Sequence, residues 1–430
     1  MTTDLIDWCS LPAEVIADAV GSGRATATEV IETHLTRLDA IEPTLRMFAH
    51  VAPDDARNRA ATIDRAPSDL TLAGVPIGVK DVIDTARMPT AHGTPVMEAN
   101  RPSEDAAVVA RVERSGAVVI GKTVTNEFGA SNPGPTRNPH DSARTPGGSS
   151  SGSAASVAAG VVTLALGTQT GGSVVRPASF CGVFGLKPTL GSIDRSGVGG
   201  HCPTIDSPGI FARSARDLAL LLRVLSDLPL ETRKGSSIGL VLPEESDPIN
   251  PSLHEGLRRI AASTREQGID VVVTAPPNIE EPLRSAPQII IRYELAEHLG
   301  HLLDEHRASL SERLVASIEH GQRIPTGEYQ EARDAVLRAR EDLEPLLNGF
   351  DALMSLTVPH EAPLGTSDSG DPAPHRIWSA LGVPVLSMPL LTGPSGLPVG
   401  VQLIGMPQSE EWLLEVAGAL KPTPDPIVPR

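Results

Sequence analysis

Between Pro146 and Pro188 the chain reads PGGSSSGSAASVAAGVVTLALGTQTGGSVVRPASFCGVFGLKP, and no other stretch restricts the fold as much. A Gly/Ser-rich run taken alone is a flexible linker. This one is interrupted by Val161 to Leu166 and followed by CGVFGL, apolar runs with the length and bounding glycines of buried strands. The first glycine loop, Gly147 to Ser153, runs into Ala154 to Ala159 and opens a short helix; the second turn, Thr168 to Ser173, starts another. Paired glycines let backbone N–H groups converge into an anion-binding nest, so a serine there can be a nucleophile beside an oxyanion site. Ser149 and Ser173 stand on these two loops, 24 residues apart. A phosphate loop is excluded, because no Gly-Lys-Ser/Thr ending follows the glycines.

The flanking chain has a βα rhythm. Thr26 and Glu29 form a capping box before Val30, Ile31, His34, Leu35, Leu38 and Ile41, which fall at helical spacing, and His34 reads as a packing residue. Val75, Ile77 and Val79 alternate as a strand that ends at Lys80, where active-site loops begin. Ser103 is placed to cap a helix reaching Glu113, with Gly116 and the strand Ala117 to Ile120 after it. Asn126 to Asn138 reads as an irregular, pocket-lining loop. Ser214 and Asp217 cap a helix that buries Leu218, Leu221, Leu222 and Leu225. A polar connection, Thr232 to Ser237, leads to the strand Ile238 to Leu242, a helix ending near Gly268 and the strand Val271 to Thr274. Phe350 to Leu356 is a further strand, Pro384 to Leu390 and Val399 to Ile404 form a hairpin, and Ser409 begins a closing helix. The expected fold is α/β, a large mixed and mostly parallel central sheet covered by helices on both faces, in one domain over residues 1–430.

Composition removes several function classes. A formal charge of −17 opposes direct binding to nucleic acid, which requires clustered cations. Aromatic residues are only 3% of the chain, so the core must be built from Val, Leu, Ile and Ala. Cys9, Cys181 and Cys202 form no CxxC pair, no disulfide framework and no four-cysteine zinc site, which makes a reducing cytoplasm the expected location. His298, His301 and His306 raise a metal site, but no His-Glu-x-x-His pattern occurs and mixed charges surround them, as on a solvated helix. No signal segment and no run of about 18 apolar residues is present, so no membrane partner is expected.

The Gly-Gly-Ser-Ser loop at Ser149, the Gly-Gly-Ser turn at Ser173 and Lys80 after a Gly-Val-Pro strand together resemble the amidase signature family. The resemblance continues through Phe180 to Pro188, Ala212 to Asp217 and Gly396 to Gly405. It marks a signature core at about 72–217, a variable region at about 234–348 and C-terminal strands and helix at about 350–420. It implies a Ser–Ser–Lys triad: Ser173 the nucleophile, Ser149 a bridging serine whose peptide bond is cis, Lys80 a base kept neutral by burial. The backbone N–H groups of Thr170, Gly171, Gly172 and Ser173 would hold the oxyanion, and no metal or organic cofactor is implied. The expected reaction is hydrolysis of a small carboxylic amide to acid plus ammonia or amine. Gln169 replaces an aspartate common before the turn, and Val174-Val175 places Arg176 one residue further on than is frequent; both features, with Arg376-Ile-Trp-Ser379, resemble the malonamidase branch. A malonamate-like monoamide is then the expected substrate. Arg176 has two readings, a clamp on its carboxylate or a brace on backbone carbonyls, with Arg376 and His375 as competitors for the clamp. The alternatives are the catalytic subunit of a tRNA-dependent amidotransferase and a non-catalytic binding protein of the same fold. A homodimer is left open.

Overall fold

The computed structural model describes residues 6–65, 70–130, 132–226, 235–243 and 251–420. Residues 232–234 of the expected Thr232 to Ser237 connection, the start of the variable region and the first residues of the N-terminus lie outside these.

Among the described residues eleven strands form one sheet. They are β1 (Phe48–Val51), β2 (Pro76–Lys80), β3 (Val118–Thr123), β4 (Leu164–Gln169), β5 (Phe184–Lys187), β6 (Ser207–Ala212), β7 (Ser237–Val241), β8 (Asp270–Thr274), β9 (Ala352–Leu356), β10 (Val385–Thr392) and β11 (Pro398–Gly405). Their order across the sheet is β1-β3-β2-β4-β6-β5-β10-β11-β9-β7-β8. The sheet is mixed, as expected, but its parallel share is smaller than expected. Parallel pairing is confined to β3-β2-β4 and β9-β7-β8, and the centre is antiparallel. The reason lies in the connections. A parallel return needs a long crossover, usually a helix, whereas β10 turns into β11 across Gly393–Leu397 and β5 reaches β6 through residues 188–206 without a helix.

Helices cover both faces. A Cβ on Gly400 of β11 would meet Ser179 of the helix Val175–Cys181, and one on Gly405, five residues on and therefore on the other face, would meet Leu413 of the helix Glu410–Ala419. The core between them is chiefly aliphatic and also buries Trp8, Trp378 and Trp412.

Local expectations hold at the caps and fail at some boundaries. Thr26 and Glu29 make the capping box of Ala27–Leu45, and Ser214 accepts from Asp217 N to start Ala215–Leu225. His34 is buried, its Nδ1 2.9 Å from Val161 O. Ser103 caps nothing: the helix is Ala107–Arg114, and Ala106 and Ala107 give their N–H groups to Asp84 O and Ser196 O, so neighbouring backbone replaces a serine cap. The strand expected at Val161 is β4, from Leu164, because Val161 N and Val162 N close the preceding helix on Ser156 O. No described helix is long and apolar enough to cross a membrane.

The helices Ala286–Leu299, Glu312–Gln322 and Thr326–Glu341 belong to the variable region. Leu295, Leu314 and Ile318 pack with Phe128, while Ile290 and Val336 pack with Cys202 and Ile205. The variable region therefore roofs two loops that leave the signature core.

Candidate active site

Strands β2 and β4 run parallel, with Val79 opposite Leu166, so both deliver their last residues to the same edge of the sheet. Lys80 ends β2 and Thr168 lies near the end of β4. The Lys80 ammonium is fully buried, and Nζ stands 2.8 Å from Ser149 Oγ and 2.8 Å from Thr168 Oγ1. Burial lowers its pKa from 10.5 to about 7; Asp206 opposes that shift and Arg176 adds to it. A lysine so placed has a substantial neutral fraction near neutral pH and can accept a proton from the serine.

The two serine loops are stitched together below this point. Ser150 N donates to Ser173 O at 3.3 Å, and Ser150 Oγ to Thr168 O at 3.2 Å. The Gly148–Ser149 peptide is cis. Gly172 has φ +108°, and a Cβ on it would come within 2.7 Å of the His375 ring, so this turn admits no side chain. Gln169 completes the turn. Its Oε1 accepts from Val174 N and Val175 N at 2.9 and 3.1 Å, and Nε2 donates to Ser379 Oγ at 3.1 Å. The amide thus supplies an acceptor to a helix start, as a carboxylate would, together with a donor that a carboxylate lacks.

Ser149 and Ser173 open on one cavity of about 320 Å³, lined also by Thr170, Gly171 and Arg176. Gly172 is turned away against His375. Asn126, Gly129 and Ala130 line the cavity from the irregular loop, as expected of it. Arg176 is buried; Nε donates to Ser369 O at 2.7 Å and Nη2 to Gly148 O at 2.6 Å. These are the backbone contacts of a brace. His375 is buried outside the cavity lining, with its pKa lowered to about 3 by burial and by Arg176, whereas Arg376 lines the cavity.

Four residues escaped the sequence reading. Thr168 was within reach, since the strand-end rule that selected Lys80 applies equally to the parallel neighbour β4. Asp206 accepts from Thr170 Oγ1 and from Cys202 N, the latter at 2.8 Å, and carried no motif. Arg292 and Arg313 line the cavity from the variable region, where the resemblance is weakest. His298 and His301 lie on successive helices that meet at Gly300, and no group of three or more His, Cys, Asp or Glu able to hold a metal occurs among the described residues.

The family model described as Amidase matches residues 29–414. The chain belongs to the amidase family. It is an enzyme that cleaves carbon–nitrogen amide bonds. It is 33% identical to a glutamyl-tRNA(Gln) amidotransferase subunit of Anaeromyxobacter dehalogenans over 100% of both chains. A solved structure of a vestigial complex bearing on the origins of an s-triazine catabolic enzyme is similar with a TM-score of 0.86 and 29% identity, covering 95% of this chain and 98% of that one. A peptide amidase from Stenotrophomonas maltophilia has a TM-score of 0.80 and 28% identity, with 96% of each chain covered.

Proposed function

We propose that this amidase works through an acyl-enzyme on Ser173, with Ser149 as proton relay and Lys80 as base. The 2.8 Å contact between a buried, pKa-lowered Lys80 and Ser149 carries the reading. Ser173 Oγ attacks the amide carbonyl as its proton passes to Ser149 and that of Ser149 to Lys80. The oxyanion then faces the N–H groups of the Thr170 to Ser173 turn. Collapse returns the proton through Ser149 to the departing nitrogen, and water, activated by the same relay, releases the acid. Arg176 is assigned as the brace of the Ser149 loop rather than as the carboxylate clamp.

The curated relatives support one assembly for this chemistry, the catalytic subunit of an amidotransferase, whose tRNA contacts would fall to partner chains because this chain carries −17. A free-standing hydrolase of a malonamate-like monoamide is the second reading, favoured by Gln169 before the Gly-Gly-Ser turn and by the likeness to a peptide amidase. Mild purification from the source cell, with glutamine and malonamate assayed on the isolated chain and on any complex, separates them. Stable partner chains and glutamine turnover that depends on them support the first reading; full malonamate turnover by the chain alone supports the hydrolase. A fluorophosphonate that fails to label Ser173 would remove both.

A further inference from the structure

A buried histidine that the proton relay does not use faces the same cavity. His201 lines it together with Ser149, Thr170 and Ser173. Its loop lies against the end of β2: Gly199 N donates to Val82 O at 2.6 Å, and Asp84 N to Gly197 O at 2.9 Å. A Cβ on Gly200 would run into the Asp206 carboxylate, so only glycine lets the loop close there. The ring is thereby held beside the lysine.

The tautomer follows from the one partner the ring has. His201 Nδ1 lies 3.3 Å from Phe128 O, and a carbonyl only accepts, so Nδ1 carries the proton. Burial lowers the pKa of the ring; Asp206 and the Phe128 carbonyl oppose that shift, and Lys80 and His298 add to it. The imidazole is therefore neutral at neutral pH, and Nε2 is a bare lone pair. Nε2 has no partner among the described residues and is not sealed away from the cavity.

This acceptor stands where the reaction calls for one. A Cβ on Gly129 would be 3.8 Å from Ser149 Oγ, and Phe128 O, in the peptide just before Gly129, holds the imidazole. His201 thus lies on the Ser149 side of the cavity, where the departing nitrogen receives its proton. A carboxamide that gives its oxygen to the Ser173 turn still has N–H groups, which lose water on entering the cavity and are costly to leave unpaired. Those groups become stronger donors as the nitrogen gains positive charge, so an acceptor there stabilises the transition state more than the bound amide.

We propose, resting on the acyl-enzyme reading above, that His201 is a further catalytic residue whose Nε2 accepts a hydrogen bond from the substrate's carboxamide nitrogen as that nitrogen leaves. The electron pair of the broken carbon–nitrogen bond stays with nitrogen, the proton comes from Ser149, and His201 neither gains nor loses one.

The test compares kcat/KM for an amide and for the ester of the same acyl group, in wild type, His201→Phe and His201→Gln. The pairs are glutamine with glutamate γ-methyl ester, and malonamate with monomethyl malonate. This constant reports the step that expels the leaving group, and the leaving oxygen of an ester has no N–H to offer. His201→Phe keeps a ring and should lower the amide constant by about fivefold to a hundredfold, with the ester constant changed by less than about twofold. His201→Gln, whose carbonyl can accept, should recover part of the loss. Equal losses on amide and ester, in variants whose Ser173 is still labelled by a fluorophosphonate, assign His201 to structure and overturn the proposal while leaving the acyl-enzyme standing. A second readout leaves His201 itself unaltered. In Ser173→Ala protein carrying nitrogen-15 histidine, the His201 ring should be the Nδ1–H form at neutral pH, and its Nε2 resonance should move when the amide binds. An Nε2–H form, or a resonance that does not move, removes the acceptor whatever the kinetics show. An unlabelled, inactive wild type overturns both readings.

Discussion

Two regions face the same cavity and are held in different ways. In the signature core Lys80, Ser149, Ser173 and Arg176 are all buried, and each is fixed by backbone or by a strand end: β2 carries Lys80, β4 leads to the turn of Ser173 and Ser150 ties the two loops. In the variable region Arg292 and Arg313 stand on helices, half-buried and exposed, and those helices dock through an apolar cluster around Phe128 and a few buried polar contacts. The residues proposed for catalysis thus sit where the chain has least freedom, while the variable region contributes to the cavity wall from helices.

The first way to break this comparison is at the proposed nucleophile. Ser173→Ala should abolish turnover and fluorophosphonate labelling while leaving the melting temperature within a few degrees of wild type, because one hydroxyl is removed and no cavity of consequence is made. Retained turnover by the folded variant would place the chemistry elsewhere.

Lys80 is the next largest. Lys80→Ala should cost several orders of magnitude in kcat/KM, and wild-type activity should rise with pH through about 7 and level above it, since only the neutral amine accepts a proton. The linkage to stability has a definite sign. Between about pH 7 and 10.5 the unfolded chain binds a proton that folded Lys80 lacks, so this group's contribution makes stability rise with pH across that window; below it the folded state bears the full cost of a buried charge. Lys80→Met should therefore be inactive yet more stable than wild type at pH 6. Thermal unfolding from pH 6 to 10 reads this directly, and equal slopes for variant and wild type would count against a buried, depressed lysine.

Arg176 lies in the core but was open to a recognition role. Arg176→Ala leaves Ser369 O and Gly148 O without their donor, at about 1–3 kcal/mol for the buried Gly148 carbonyl and less for the part-buried Ser369 carbonyl, which water can reach. Activity should fall by similar factors on acidic and neutral amides. A loss confined to the acids would return Arg176 to the clamp and move recognition into the core.

The same division explains what the sequence made legible. Capping boxes are local devices, and Thr26 and Ser214 could be assigned from their immediate neighbours; the roles proposed for Ser149, Ser173 and Lys80 came from the family resemblance that their glycine loops and strand end carry together. The roles of Asp206 and Arg292 depend on segments far apart in the chain: Asp206 acts on Thr170 across a turn, and Arg292 reaches the cavity only because Leu295 and Ile290 seat its helix over the loops. The β10–β11 hairpin was expected, but the antiparallel pairing of β4, β6, β5 and β10 was missed for a related reason. Apolar runs mark strands but carry no direction, which here is set by the helix-free connection between β5 and β6.

Glu294 tests how firmly the roof is attached. It is buried; Oε2 accepts from Thr204 N at 3.0 Å, and Oε1 from Tyr329 OH at 2.8 Å and from Thr204 Oγ1. Glu294→Ala should lower stability by about 1–3 kcal/mol through the unpaired partners. Hydrogen exchange should quicken in residues 286–341 before it changes in β2 or β4, with Ser173 still labelled. Exchange that quickens uniformly would mean the two regions are one cooperative unit.

The smallest effect bears on the seam between the regions. Asp206 lies on the loop that holds Thr204 against Glu294, and its own carboxylate accepts from Thr170 Oγ1 and Cys202 N. The charges set against Lys80 are Asp206, which favours its protonated form, and Arg176, which disfavours it. Asp206→Asn keeps the shape and one acceptor while removing the negative charge, so the Lys80 pKa should fall further and the acid limb of the pH–kcat/KM profile should move down by up to about one unit. If Asp206 serves only to hold the loop, the plateau falls and the midpoint stays. Glu294→Ala then decides whether the roof reaches the lysine. A downward shift of the same limb, made from a residue that does not touch Lys80, would show that docking of the variable region sets the position of Asp206. An unmoved limb would confine the tuning of the proposed base to the core.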